Sequence, residues 1–166
     1  MQTLMCRVSF PTAFGRCAIS WHAAGLTSFE LPEASARVTD EASAPPEILV
    51  VISRVQKHLT GIPQDFSDLQ YDFSELAAFD RAVVEVTLAV KSGETRSYGG
   101  IAAALGQPAG VSRAVGSALG ANRWPLLIPC HRIVAANGKM TGFSGPGGVL
   151  AKTRLLALEG AQLLSE

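Results

Sequence analysis

The sequence predicts an α+β protein, with a small sheet and one helix in residues 1–73 and several short helices in residues 74–166. Three observations support this fold class. Short stretches before residue 32 alternate apolar and polar residues, which is typical of half-buried strands. Later segments repeat apolar residues at helical spacing and end at glycine or proline. A chain of 166 residues with 48% hydrophobic residues is long enough to bury the core of one or two small domains.

The charged residues are distributed unevenly, although the net charge of the whole chain is zero. Residues 1–90 carry six Lys and Arg against eleven Asp and Glu, which gives −5. Residues 91–166 carry eight against three, which gives +5. This split predicts that the acidic half is a structural scaffold and that the basic half carries the function.

The composition indicates a reducing cytoplasmic setting. The three cysteines are an odd number without a CxxC pair, which argues against a disulfide framework. The apolar runs are shorter than a membrane span, and the first residues lack the pattern of a signal peptide. We therefore expect a cytoplasmic protein that does not associate with membranes and keeps a thiol available.

Residues 1–73 predict a sheet built on a hairpin and followed by a helix. Gly25 and the residues just before it suit a tight turn between two strands. The apolar spacing over residues 48–59 predicts a helix, which Gly61 and Pro63 end. The other predicted segments are strands at 3–10, 17–21, 26–31 and 69–73 and a polar surface loop at 33–46.

Four side chains in this half have donor atoms that metals bind: Cys6, Cys17, His22 and His58. Their spacing matches no zinc-site pattern, because structural zinc sites use closely spaced ligand pairs. We therefore expect neither a metal nor another cofactor.

Residues 74–166 begin with a predicted helix that Ser74 starts and Gly93 ends, with an apolar face formed by Leu76, Phe79, Val83, Val86 and Val90. Two shorter helices, at residues 98–105 and 111–119, are joined by a turn containing Pro108 and Gly110. This arrangement is typical of a helix-turn-helix motif. Ser112 and Arg113 are expected on the outward side of the second helix.

A hairpin is predicted after these helices. Asn137-Gly138 lies between two short strand-like segments and indicates a type I′ turn, which would complete a winged helix-turn-helix arrangement. The glycine-rich residues 142–148 then frame a pocket or serve as a linker, without the pattern of a phosphate-binding loop. A last helix carries Val149, Leu155, Leu156 and Glu159 and ends at Gly160.

The segment around Cys130 is the strongest functional signal in the sequence. Three apolar residues lead into Pro129-Cys130-His131-Arg132. The proline forces the chain out of regular structure, so the cysteine is delivered at the end of a core segment in an irregular geometry. A buried cysteine that only fills space is common, but such a residue needs no histidine and arginine directly behind it.

These residues resemble the O6-alkylguanine-DNA alkyltransferases, also called methylated-DNA–protein-cysteine methyltransferases. The resemblance is dense in matching motifs over residues 79–160. Over residues 1–73 it is limited to the order of the predicted strands and helix. It is carried by Pro129-Cys130-His131-Arg132 followed by Ile133-Val134, and by Asn122, Tyr98 in Ser-Tyr-Gly, Arg113 in Ser-Arg-Ala-Val-Gly, Ser144 in Gly-Phe-Ser-Gly and Glu159 in Leu-Glu-Gly.

The resemblance implies an RNase H-like support domain at residues 1–73 and a DNA-binding and alkyl-transfer domain at residues 74–166. It implies a monomer that flips O6-alkylguanine out of double-stranded DNA and moves the alkyl group once and irreversibly to Cys130. O4-alkylthymine is left open as a second substrate. The residues implied are Cys130, His131, Glu159, Asn122 and Tyr98 for catalysis, Arg113, Tyr98, Ser112 and Ala114 for DNA contact, and Ile133, Phe143, Ser144 and Gly145 for the pocket.

Two features depart from the family pattern. The glycine-rich loop is about two residues longer and contains Pro146, and Phe143 stands where many members have tyrosine. Two other functions stay open at this point. A cysteine hydrolase usually draws its histidine from far away in the sequence, and His22 and His58 lie in the other half of the chain. A winged-helix DNA-binding regulator would need no Pro-Cys-His-Arg segment.

Overall fold

The computed structural model describes residues 6–32, 44–135 and 148–161, with the side chains of residues 148–150 excepted. The fold is mixed α and β, with a three-stranded sheet and five α-helices in the described residues. The α+β prediction is therefore confirmed at this level. None of the described helices is long and apolar enough to cross a membrane.

The N-terminal sheet is an antiparallel meander of three strands, β1 (Cys6–Thr12), β2 (Gly15–His22) and β3 (Gly25–Glu30), in that order. The predicted hairpin is confirmed, because His22 pairs with Gly25 across a two-residue turn. β1 extends past the predicted end and includes Pro11. A proline is tolerated there because β1 is an edge strand.

The predicted strand at residues 69–73 is wrong. Only Tyr71 forms a bridge, in parallel with Leu26. Leu26 exchanges backbone hydrogen bonds with residues 70 and 72, but further along β3 the amide of Phe29 donates to the carbonyl of Arg123 at 2.8 Å. Two separate segments therefore share the free edge of β3, which leaves no continuous edge for a full strand.

Helix α1 (Pro46–His58) follows, and it buries its apolar residues against the sheet as the spacing predicts. Helix α2 (Ala78–Leu88) starts four residues later than Ser74, the predicted start. The reason lies in two turns that occupy the preceding residues. The Asp72 carboxylate accepts from the amide of Ser74 at 3.0 Å, and the amide of Leu76 donates to the carbonyl of Phe73 at 3.0 Å.

The remaining elements surround the cysteine segment. They are β4 (Arg96–Ser97), α3 (Tyr98–Ala104), a 3₁₀ turn (Ala109–Val111), α4 (Ser112–Gly120), a 3₁₀ turn (Cys130–Arg132), β5 (Ile133–Val134) and α5 (Gly148–Leu158). β4 and β5 pair in parallel, with Arg96 opposite Ile133 and Ser97 opposite Val134. α3 and α4 lie within one residue of their predicted bounds, whereas the predicted turn at Asn137-Gly138 lies outside the described residues.

Two apolar clusters form the core. One lies between the sheet and α1 and also takes in Trp124 and the buried run Leu126–Ile128 from the second half of the chain. The other lies under α2, α3 and α4 and includes Cys130 and Ile133. The segment leading to the cysteine is therefore anchored in the core of the N-terminal sheet.

Trp124 is the main anchor of that segment. Its side chain is 1% exposed, its Nε1–H donates to the carbonyl of Leu26 at 3.0 Å, and its ring meets the rings of Tyr71 and Phe73 edge-on. Removing such a side chain leaves a cavity and removes one of the two hydrogen bonds to the Leu26 carbonyl.

We expect Trp124→Ala to lower the free energy of unfolding by about 3–5 kcal/mol, the range for large-to-small aromatic changes in a core. Urea unfolding followed by circular dichroism measures this loss. Leu49→Ala is the matched control, because Leu49 is 40% exposed on α1 and its truncation should cost less than about 1 kcal/mol. Equal losses in the two variants would contradict the anchoring role of Trp124.

Candidate active site

The segment before Cys130 is held in an irregular shape by Asn122. Its side-chain amide donates to the carbonyl of Ile128 at 3.0 Å, and its side-chain oxygen accepts from the amide of Trp124 at 2.9 Å. Leu126 between these contacts has a φ of 79°, which is rare for a residue other than glycine. Asn122 therefore stabilises the loop that directs Cys130 into the site.

Cys130 begins the 3₁₀ turn and is 8% exposed. Burial raises the pKa of its thiol, against smaller lowering effects from the Asn122 amide and the charge of Lys152. The resting group is therefore the thiol. A thiol is a poor nucleophile, so a reaction at this sulfur needs a nearby base to take the proton.

His131, the next residue, is the candidate for that base. Its side chain is fully buried, and its Nε2 lies 3.0 Å from both carboxylate oxygens of Glu159. A carboxylate only accepts hydrogen bonds, so Nε2 carries the proton and Nδ1 has the free lone pair. Nδ1 is buried and has no partner among the described residues. Burial lowers the pKa of His131, which keeps the ring neutral and able to accept a proton.

Glu159 is ionised in this environment. Burial acts against the charge, but hydrogen bonds from Arg132, His131 and His58 outweigh it and hold the pKa of the carboxyl far below its usual value. Arg132 forms a bidentate pair with the carboxylate, at 2.9 Å from Nε and 2.8 Å from Nη2. Its Nη1 donates to the carbonyl of Val90 at 2.7 Å. Arg132 thus neutralises the buried negative charge.

His58 also joins this cluster, although the sequence analysis placed it in the other half of the chain with no role. It ends α1, and its Nε2 lies 2.7 Å from Glu159 Oε2. A signal for this was present in the sequence. His58 falls on the apolar face of the α1 pattern, three residues after Val55 and seven after Val51, and a buried histidine there needs a polar partner.

Lys152 is the second residue that the sequence analysis missed. Its side chain is almost fully buried, and its Nζ donates to the carbonyl of Ile133 at 2.6 Å and lies 5.9 Å from the centre of the Tyr98 ring. Desolvation lowers the pKa of Lys152, while the nearby Cys130 raises it. Glu159 comes directly after α5 and seven residues beyond Lys152, so a charged pair at helical spacing was visible in the sequence.

The residues predicted to contact DNA lie on one surface. Tyr98, the first residue of α3, lines a shallow pocket of about 480 Å³ with Ser112, Arg113, Gly116 and Ser117. Arg113 is exposed near the start of α4, and so is Ala114. This places a cation and small side chains beside the tyrosine.

Not all the predicted residues can be placed. The structure brings Cys130, His131, Glu159 and Asn122 together and sets Ile133, fully buried, directly after the cysteine turn. The predicted pocket residues Phe143, Ser144 and Gly145 lie outside the described residues. Within the described residues, no group of three or more potential ligands is arranged to hold a metal ion.

Comparisons with known proteins identify the family of this chain. Residues 78–161 match the family described as "6-O-methylguanine DNA methyltransferase, DNA binding domain". The methylated-DNA–protein-cysteine methyltransferase of Methanothermobacter thermautotrophicus is 32% identical over 145 residues, which cover 87% of this chain and 80% of that protein. Its counterpart in Mycobacterium bovis is 47% identical over 81 residues, or 49% of this chain and 47% of that protein.

The fold agrees with a solved structure as well. The crystal structure of Mycobacterium tuberculosis OGT in complex with DNA superposes with a TM-score of 0.79 at 31% identity, and the match covers 93% of this chain and 92% of that one. The likeness in sequence and in fold spans both halves of the chain, and the family match includes Cys130, His131 and Glu159. The chain belongs to the methylated-DNA–protein-cysteine methyltransferase family.

Proposed function

We propose that Cys130 is the residue that receives the alkyl group, with His131 as its base and Glu159 as the group that orients His131. As a member of its family, the protein is a DNA repair methyltransferase that moves an alkyl group from damaged DNA to its own cysteine. One observation carries the assignment of the residues. A buried thiol is followed directly by a neutral histidine whose Nε2 is bound to a carboxylate and whose Nδ1 has no partner in the described part of the chain.

The chemistry follows from the attacked atom, which is the saturated carbon attached to O6 of guanine. The thiol proton passes to His131 Nδ1, directly or through water. The sulfur then forms a bond to the alkyl carbon while the bond from carbon to O6 breaks, and the Tyr98 hydroxyl supplies a proton or hydrogen bond to the departing guanine. As His131 becomes charged, Glu159 stabilises it. The product is a thioether without a carbonyl, so water cannot release the cysteine, and each molecule acts once.

DNA contact is assigned to the surface around Tyr98, Ser112, Arg113 and Ala114. The O6 atom lies inside the base stack, so the damaged base must be turned out of the duplex at a cost of a few kcal/mol. The exposed Arg113 would fill the space that the base leaves, as wedge side chains do. Backbone carbonyls near Cys130 and Ile133 would accept from the guanine amino group.

We also infer the finer organisation. Residues 1–73 would form an RNase H-like support domain, and residues 74–166 a winged helix-turn-helix domain that binds DNA and carries the cysteine. Phe143, Ser144 and Gly145 would close the pocket. The expected form is a cytoplasmic monomer that works without a cofactor, and O4-alkylthymine stays a candidate second substrate.

We expect a duplex containing O6-methylguanine to add one methyl group to each protein molecule, because the thioether cannot be hydrolysed. Intact mass spectrometry measures the stoichiometry, and peptide mapping locates the methyl group on Cys130. Cys130→Ser is the test variant, and Cys6→Ser, which changes an exposed thiol, is the matched control. A methyl group on Cys6 or Cys17, or turnover beyond one equivalent, would contradict the assignment.

We expect the rate of transfer from free O6-benzylguanine to stay nearly constant from pH 6.5 to 8.5 and to fall in more acidic solution. The pKa of His131 lies below its ordinary 6.5 and the pKa of Cys130 above its ordinary 9.0, so the neutral histidine and the thiol coexist throughout this range. Single-turnover rates in buffers of constant ionic strength test this. A rate that rises about tenfold per pH unit would mean that solution hydroxide removes the proton, without His131.

We expect Arg113→Ala to slow repair of duplex DNA by about 10- to 1000-fold, the scale of a few kcal/mol for turning out one base. Its reaction with free O6-benzylguanine should be unchanged, because that base is already unstacked. Single-turnover rates on the two substrates measure the difference.

Two further variants separate a wedge from a phosphate contact. Arg113→Lys keeps the charge, and Arg81→Ala removes an exposed arginine from α2 as the matched control. A phosphate contact would be replaced by lysine, and the loss in the alanine variant would then grow at low salt and shrink at high salt, because the variant releases one counterion fewer. Equal slowing on both substrates would place Arg113 in support of the pocket instead.

A further inference from the structure

His58 connects the N-terminal half of the chain to the reactive centre. It is the last residue of α1, its ring packs against Phe66, and its side chain is 1% exposed. Its Nε2 lies 2.7 Å from Glu159 Oε2, and the side chain of Glu159 is also 1% exposed. A contact between two such buried polar groups strongly restricts both of them.

The protonation of His58 follows from its other nitrogen. The backbone amide of Gln64 donates to His58 Nδ1 at 3.0 Å. An amide can only donate, so Nδ1 presents its lone pair and the proton of the neutral ring is on Nε2. His58 therefore donates to Glu159.

The Glu159 carboxylate is fully engaged as a result. Oε1 accepts from Arg132 and His131, and Oε2 accepts from Arg132, His131 and His58. A carboxylate offers about four lone-pair sites, so these donors fix its plane and leave no room for rotation. The orientation of His131 depends on that plane.

We propose that His58 is a positioning residue for alkyl transfer. By donating its Nε2 proton, it holds the Glu159 carboxylate in the orientation that keeps Nε2 of His131 protonated and Nδ1 free to take the Cys130 proton. This inference rests on the proposed function and gives α1 a part in the chemistry of a cysteine that lies 72 residues further along the chain.

Two variants of His58 test the contact. In His58→Asn, the side-chain oxygen can still accept from the Gln64 amide, but the shorter side chain no longer reaches Glu159. In His58→Gln, the amide nitrogen can reach Glu159 and donate. We expect His58→Asn to slow transfer from O6-benzylguanine by about tenfold or more, below the roughly 10²–10⁴-fold effect of losing a general base altogether. His58→Gln should restore most of the rate.

The double variant separates positioning from a general effect on stability. If His58 acts through Glu159, His58→Asn should cause little further slowing in a Glu159→Gln background, because the carboxylate that it orients is gone. Rates are compared for folded protein below the melting transition of each variant. A wild-type rate in His58→Asn, or an equal slowing with and without Glu159, would overturn the proposal.

Labelling of Cys130 by iodoacetamide supplies a readout that needs no guanine recognition. Quantified on the Cys130 peptide, labelling at pH 7.5 should slow in His58→Asn and recover in His58→Gln. If wild-type protein is labelled at Cys130 but does not accept an alkyl group from O6-benzylguanine or DNA, the proposed function fails. If wild-type protein accepts the group and the labelling rate of His58→Asn is unchanged, only the role of His58 fails.

Discussion

The buried carboxylate of Glu159 is the constraint on which the rest of the site depends. An ionised carboxylate in a protein interior is unfavourable unless it is paired and hydrogen-bonded. Its partners come from two separate elements: His58 ends α1, and His131 and Arg132 belong to the 3₁₀ turn, while Glu159 itself follows α5. The charge is compensated only when these elements are packed together, so the folding of both halves and the assembly of the site are the same event.

The same cluster explains how a protected cysteine can still react. Arg132 cancels the charge of Glu159, so the resting cluster has no net charge to force Cys130 into the thiolate form. Burial keeps the thiol protonated and shielded from solution oxidants. In the proposed mechanism, activation is a local proton transfer to His131, and Glu159 offsets the positive charge that this creates. The same carboxylate therefore pairs with Arg132 in the resting state and would stabilise charged His131 during the proposed transfer.

Sequence patterns predicted the elements whose stability is local, such as the hairpin at Gly25, the apolar face of α1 and the short helices α3 and α4. They failed where long-range contacts decide the structure. The strand at residues 69–73 is reduced to a bridge at Tyr71 because Arg123 takes part of the same edge. In the site, Cys130, His131 and Glu159 were singled out by the resemblance to the family and not by a spacing pattern. His58 was missed because its partner lies 101 residues away and no spacing rule connects them.

The short parallel pairing of β4 with β5 has a consequence for how such a chain can change in evolution. β4 runs directly into α3, where Ser97 caps the helix by accepting from the amide of Gly100, and β5 follows the cysteine turn without a spacer. A one-residue insertion or deletion at either junction would shift the pairing and turn the fully buried Ile133 toward the opposite face. Side chains can therefore change at these two junctions, but the number of residues between β4 and α3, and between the cysteine turn and β5, is fixed.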